Sequence, residues 1–168
     1  FATEDLVDAP ALVHDGTVFI GSADFFFYAL DAQTGALRWK YETQDKILGG
    51  ANRVKLADGS VRIVVGGYDA TLYGFDPAGD QPVWTYTTDN YIHGTPAVVD
   101  GSVVFGGCDS VLHFVAAEDG TASRKLALGA DCHVAGSVGI ADDHLYFGHY
   151  GNAFLCVAKD AEEPSWVY

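Results

Sequence analysis

Val18-Phe-Ile-Gly-Ser-Ala-Asp24 is an apolar run closed by a glycine and a turn, and the same pattern recurs three times. The later copies are Val64-Val-Gly-Gly-Tyr-Asp69, Val103-Val-Phe-Gly-Gly-Cys-Asp109 and Leu145-Tyr-Phe-Gly-His-Tyr-Gly151. A second apolar run follows each turn: Phe27-Tyr-Ala-Leu30, Leu72-Tyr-Gly-Phe75, Leu112-His-Phe-Val115 and Phe154-Leu-Cys-Val157. A third element reads Trp39-Lys-Tyr41, Trp84-Thr-Tyr86, Leu126-Ala-Leu128 and Trp166-Val-Tyr168, which sets Leu126 at the tryptophan position of the third repeat. Phe1, Tyr41, Tyr86, Leu128 and Tyr168 then share one column. Ahead of each glycine-closed run lies a short segment ending in Asp15, Asp58, Asp100 or Asp142.

Four short β-type runs in a period of about 40 residues, punctuated by Asp-Gly turns, are the pattern of propeller blades. No segment keeps a helical period between caps, so a βαβ arrangement is excluded. An immunoglobulin-type sandwich demands no strict recurrence of Trp and Gly. The expected fold is all-β: a β-propeller segment of four four-stranded antiparallel blades, forming one domain over residues 1–168. The repeats fall at about 1–40, 41–85, 86–127 and 128–168.

Composition agrees with a packed globule. Of 168 residues, 49% are hydrophobic and 13% aromatic, enough for a large core and too many for a disordered chain. Nine Lys and Arg against 23 Asp and Glu give a formal charge of −14. Nucleic-acid binding needs a basic patch to release counterions, so that partner class is not expected. No apolar run approaches the ~20 residues of a membrane-spanning helix, so no direct membrane insertion is expected. The three cysteines, Cys108, Cys132 and Cys156, are too few and too dispersed for a disulfide scaffold or a CxxC zinc site. The sequence contains no methionine, hence no translation start of its own, and is expected to be a processed chain or a piece of something longer.

Ala29-Leu-Asp-Ala-Gln-Thr-Gly-Ala-Leu-Arg-Trp39 resembles the tryptophan-docking motif of pyrroloquinoline-quinone (PQQ)-like propellers. Asp76-Pro-Ala-Gly79 before Trp84 is a weaker copy, and Gly120 and Trp166 keep parts of it. The resemblance covers the whole chain and reaches both quinoprotein dehydrogenases and non-enzymatic, BamB-like members. It implies a ring of seven or eight blades, so four blades are expected to be completed by further chain or by a second copy. Trp39, Trp84 and Trp166 are expected to fill the gaps between blades, where their area is large and Gly or Ala opposite lets the ring reach the backbone.

Loops of a propeller alternate between two faces, which gathers the unusual side chains on one of them. Tyr68, Asp69, His93, Cys108, Asp109, Cys132, His133, His149 and Tyr150 are the expected ligand or partner face, opposite Asp15, Asp58 and Asp100. Cys and His there have the chemistry for zinc or copper, but no pair has a recognised ligand spacing. Cys156 belongs to the core by its column, and His113 replaces Tyr28 and Tyr73 as packing. No serine sits in a G-x-S-x-G turn, and no phosphate loop is present. A PQQ dehydrogenase resembling known ones needs a calcium site, a catalytic Asp and a floor Trp beyond the repeat tryptophans. The expectation is therefore a non-catalytic scaffold for a protein or ligand in a bacterial periplasm or cell envelope, without cofactor. A fragment of a quinoprotein dehydrogenase, carrying PQQ and calcium, is the alternative.

Overall fold

The computed structural model describes residues 1–168, and all of its regular structure is β. Blade 1 contains β1 (Leu12–His14), β2 (Thr17–Gly21), β3 (Phe26–Asp31) and β4 (Leu37–Glu42). Blade 2 contains β5 (Asn52–Lys55), β6 (Val61–Gly66), β7 (Thr71–Phe75) and β8 (Pro82–Thr87). Blade 3 follows with β9 (Ala97–Val99), β10 (Ser102–Gly106), β11 (Val111–Ala116) and β12 (Ala122–Ala127). Blade 4 closes with β13 (Gly139–Ala141), β14 (His144–His149), β15 (Ala153–Ala158) and β16 (Trp166–Val167). Each sheet pairs its strands antiparallel in chain order. The short first strands β1, β5, β9 and β13 touch one another along the inner edge.

Strand alternation gives each blade two apolar faces, and each junction between blades is a separate core. Phe19, Phe27, Ala29 and Trp39 of blade 1 meet Ile63, Val65, Tyr73 and Phe75 of blade 2. Val64, Leu72 and Trp84 meet Val103, Phe105, Val115 and Ala117 at the second junction. Val104, Leu112, Phe114 and Leu126 meet Leu145, Phe147, Leu155 and Val157 at the third. The recurring glycines are explained by the connections between blades. A Cβ on Gly66 would lie 2.3 Å from a methyl of Ile92, and one on Gly106 2.2 Å from Val134. The aliphatic residue that enters the next blade rests directly on backbone, and only glycine leaves room for it.

Trp39 and Trp84 are buried at 9% and 8% exposure, and each indole N–H donates to a carbonyl of the next blade. The acceptors are Pro77 at 3.1 Å and Ala117 at 3.0 Å. Trp39 pairs with Ala29 and Trp84 with Gly74, whose Cβ would fall 2.2 Å from the indole. Trp166 holds the same register opposite Cys156 but is 45% exposed, because no further strand packs on the outer face of blade 4.

Register corrects the third repeat. The residue paired with Phe114, and so aligned with the tryptophans, is Arg124 and not Leu126. Leu126 pairs with Leu112 and takes the column of Tyr41 and Tyr86, where the sequence alignment had put Leu128. Arg124 imitates tryptophan chemically: its guanidinium lies 4.0 Å over the Phe114 ring and donates to the Lys159 carbonyl at 2.5 Å and to that of Ala161 at 2.8 Å. A bulge in the outer strand pair follows Ala29, Gly74 and Phe114 alike, which fixes this alignment.

Candidate functional site

The two ends of the blades carry different residues, as the loop alternation requires. The turns between the second and third strands of each blade share one end with the connections between blades, and four repeated bonds tie them together. Backbone N–H groups of Ala23, Tyr68, Cys108 and Tyr150 donate to the carbonyls of Leu6, Lys46, Tyr91 and His133 at 2.9–3.1 Å. At the opposite end the Asp15 and Asp100 turns meet the β3–β4 and β11–β12 turns, with Ala32 N–H donating to Gly16 and Ala117 N–H to Gly101. Phe25, Ala70, Ser110 and Asn152 close the turns between the second and third strands of the four blades at positive φ, a cost borne four times without glycine.

Because each turn residue sits beside the connection to its own blade, successive side chains form a rank along the mouth of the arc. The Lys46 ammonium lies 4.7 Å over the Tyr68 ring. Tyr68 stacks on Tyr91 at 4.6 Å between centroids and 7° between planes. The Tyr68 hydroxyl is hydrogen-bonded to Nδ1 of His93. The Tyr91 hydroxyl meets the thiol of Cys108, which is buried at the next step. Burial raises the Tyr68 phenol and the Cys108 thiol above their ordinary values, and the thiol contact raises Tyr91. Cys108 is therefore a protonated thiol and not a ready nucleophile at neutral pH. Tyr150 continues the rank into solvent at 70% exposure.

The other residues expected on this face separate into two groups. Asp69 and Asp109 turn inward. Asp69 accepts from the Tyr73 hydroxyl, Thr71 N–H and Gln44 N–H; Asp109 accepts from His113 Nε2 at 2.9 Å, Val111 N–H and Asp89 N–H. Asp24 does the same with Tyr28 and Glu4 N–H, so each carboxylate locks a turn and pins the chain arriving from the preceding blade. Blade 4 lacks both halves of the lock, carrying Gly151 and Leu155 at those positions. Cys132, His149 and His133 form a second, more exposed group at blade 4. The Cys132 thiol donates to Ala130 O at 3.5 Å and lies near Gly151, while His149 Nδ1 accepts from Gly151 N–H at 3.0 Å. All three cysteines are free thiols.

No three His, Cys, Asp or Glu side chains converge on a point that an ion would occupy. Asp69 and Asp109 are already committed to turn N–H groups and ring donors, and Trp39 and Trp84 are seated between blades, so these residues are not arranged to hold a calcium–quinone pair. Lys46 and Tyr91 lie in the connections Gln44-Asp-Lys46 and Asp89-Asn-Tyr91, which loop alternation assigns to this face, but they are not among the site residues expected from the sequence. Their signal was the column they share, immediately before the aliphatic residues Ile92 and Ile47 that press on the blade glycines.

An open arc of β-blades whose junctions are keyed by Trp, or by an Arg imitating it, defines a propeller of the tryptophan-docking type. The family described as outer membrane protein assembly factor BamB matches residues 49–160, and the chain belongs to it. The chain is similar to quinohemoprotein alcohol dehydrogenase ADH-IIG of Pseudomonas putida, with 32% identity over 112 residues, 60% of this chain and 16% of that protein. It superposes on BamB of Moraxella catarrhalis with a TM-score of 0.84 at 23% identity, over 99% of this chain and 51% of that one. On quinohemoprotein alcohol dehydrogenase of Comamonas testosteroni the TM-score is 0.81 at 18% identity, covering 98% and 35%. The chain thus spans about a sixth of the curated dehydrogenase and half of the BamB structure.

Proposed function

We propose that this chain is a non-catalytic propeller scaffold of a bacterial periplasm or cell envelope, and that the mouth lined by Lys46, Tyr68, Tyr91 and Tyr150 is its protein-binding surface. The observation that carries the reading is the Lys46–Tyr68–Tyr91 stack. Rigid aromatic rings with a polar tip supply contact area at low entropic cost, which is why Tyr is enriched at interface centres. The face includes Cys108, His93, His133, Cys132 and His149 as neighbours of the rank. A photocrosslinker at Tyr150 should give protein adducts in an envelope fraction, and Tyr68→Ala with Tyr91→Ala should remove them. A crosslinker at Asp15, on the opposite face, should give none; equal labelling at both positions refutes the assignment.

The terminal faces take further blades in the same reading, from continuing chain or from a second copy. Phe154 and Trp166 are 44% and 45% exposed on blade 4, in register with the buried Phe27, Leu72 and Leu112 and with the buried Trp39 and Trp84. Light scattering of the 17.9 kDa chain should show association that Trp166→Ala reduces. A second reading, part of a quinoprotein dehydrogenase, is favoured by the 32% identity to the alcohol dehydrogenase. Added PQQ and calcium separate the two. A bound-quinone spectrum supports the dehydrogenase, and an unchanged free-quinone spectrum supports the scaffold.

A further inference from the structure

A charge that breaks a repeat column sets its blade apart from the others, here at solvent-facing positions where Val13 of blade 1 is itself 60% exposed. Two such breaks adjoin on blade 2, at the end opposite the tyrosine rank. The inner-strand residues paired with Val18, Ile63, Val103 and Leu145 are Val13, Arg53, Val98 and Ile140, three apolar side chains and one arginine. Two residues further on, where the other blades carry Asp15, Asp100 and Asp142, blade 2 carries Lys55 at the end of its strand, and its Asp-Gly turn falls later, at Asp58-Gly59, because five residues separate the paired strand ends Lys55 and Val61.

Arg53 and Lys55 together make a basic cleft in a chain of charge −14. His14, Arg53, Lys55, Gly59 and Val61 line a cavity of about 360 Å³ between the inner strands of blades 1 and 2, with no carboxylate in its wall. The Arg53 guanidinium is held 3.0 Å from His14 Nδ1, which fixes its fork without neutralising it. Arg53 and Lys55, like Lys40, Lys46, Arg124 and Lys125, have no carboxylate within 4 Å, but they are the two that share one cavity. Asp58, three residues beyond Lys55, accepts from Ser60 N–H and Oγ at 2.9 and 2.6 Å, and Asp15 lines the neighbouring cavity with Arg38.

We propose that this cleft is a binding site for a small dianionic oxyanion, either a phosphate ester or a short dicarboxylate. Arg53 offers a bidentate fork for one pair of oxygens and Lys55 a point charge for the rest. The volume lies at the lower end of small-molecule pockets, about 300–1,000 Å³. Size decides against an acidic polymer. A long polyanion would run out of the cleft and pass within a Debye length, about 8 Å, of the protein's carboxylates, which repel it, while a small ion inside the cleft meets chiefly the local cations.

Calorimetric titration of the 168-residue chain with inorganic phosphate and with succinate, at ionic strength held constant by NaCl, tests the site. Saturable one-to-one binding of at least one probe is expected. Phosphate alone identifies the ester class and succinate alone the dicarboxylate class. Arg53→Gln and Lys55→Gln, both at exposed positions, should each weaken binding about tenfold. Lys125→Gln, a cation on another blade, should leave it unchanged. Unchanged affinity in both cleft variants, or heats that do not saturate with either probe, overturns the proposal.

Discussion

The first two blade junctions and the third solve one problem with different chemistry. At the first two, a tryptophan lies flat on Ala29 or Gly74 and its N–H reaches a carbonyl of the next blade. At the third, the residue opposite is Phe114 and the bulk has moved to the inner partner of the pair. A second large ring would collide there, so an arginine stacks on the phenyl face and carries the donor to Lys159 and Ala161. The junction requires a flat donor over an apolar surface, and which strand supplies the surface is free to change. Small-with-Trp and Phe-with-Arg are therefore linked choices.

The largest effect should come from a tryptophan junction. Trp39→Ala or Trp84→Ala removes a ring buried to 9% or less and should cost about 3–5 kcal/mol in urea unfolding. A loss under about 1 kcal/mol would show that the ring does not key the junction.

An exchange of chemistry between junctions should show linkage of intermediate size. Arg124→Trp alone should destabilise, because the indole meets Phe114, and Phe114→Gly alone should leave a cavity. The double variant rebuilds the Gly74–Trp84 arrangement and should recover about 1–3 kcal/mol relative to the sum of the single changes. Additive losses would break the comparison.

The smallest effect is a pH dependence confined to blade 3. His113 donates from Nε2 to Asp109 at 2.9 Å, and its Nδ1 lies 3.0 Å from the Tyr86 hydroxyl. Burial holds its pKa below the ordinary histidine value, against the opposing pull of Asp109. The unfolded chain takes up that proton near pH 6.5 and the folded chain only at lower pH, so stability should fall as pH drops from about 7 towards 5. His113→Tyr, which copies Tyr28 and Tyr73, should flatten the slope of Tm against pH in that window. An unaltered slope would assign it to other groups.

Much of this was legible in the residues. The glycine-closed runs, the Asp-Gly turns and the tryptophans gave blade number, strand order and the division into two faces. The alignment of the third repeat slipped by two residues because Leu126 was matched by hydrophobicity, whereas the structural equivalent, Arg124, is charged. Asp69 and Asp109 read as face residues because they sit in turns, yet the i+4 partners Tyr73 and His113 draw them inward.

The sequence by itself determined the period and the alternation, since both depend on local spacing: two-residue alternation within strands and positive-φ turns between them. Tertiary structure alone decided which side chains share a site. Tyr91 reaches Tyr68, and Arg53 reaches His14, only because neighbouring blades are held edge to edge by their junction cores. Contacts between residues 23 and 39 positions apart in the chain are set by those blade junctions, and no local pattern encodes them.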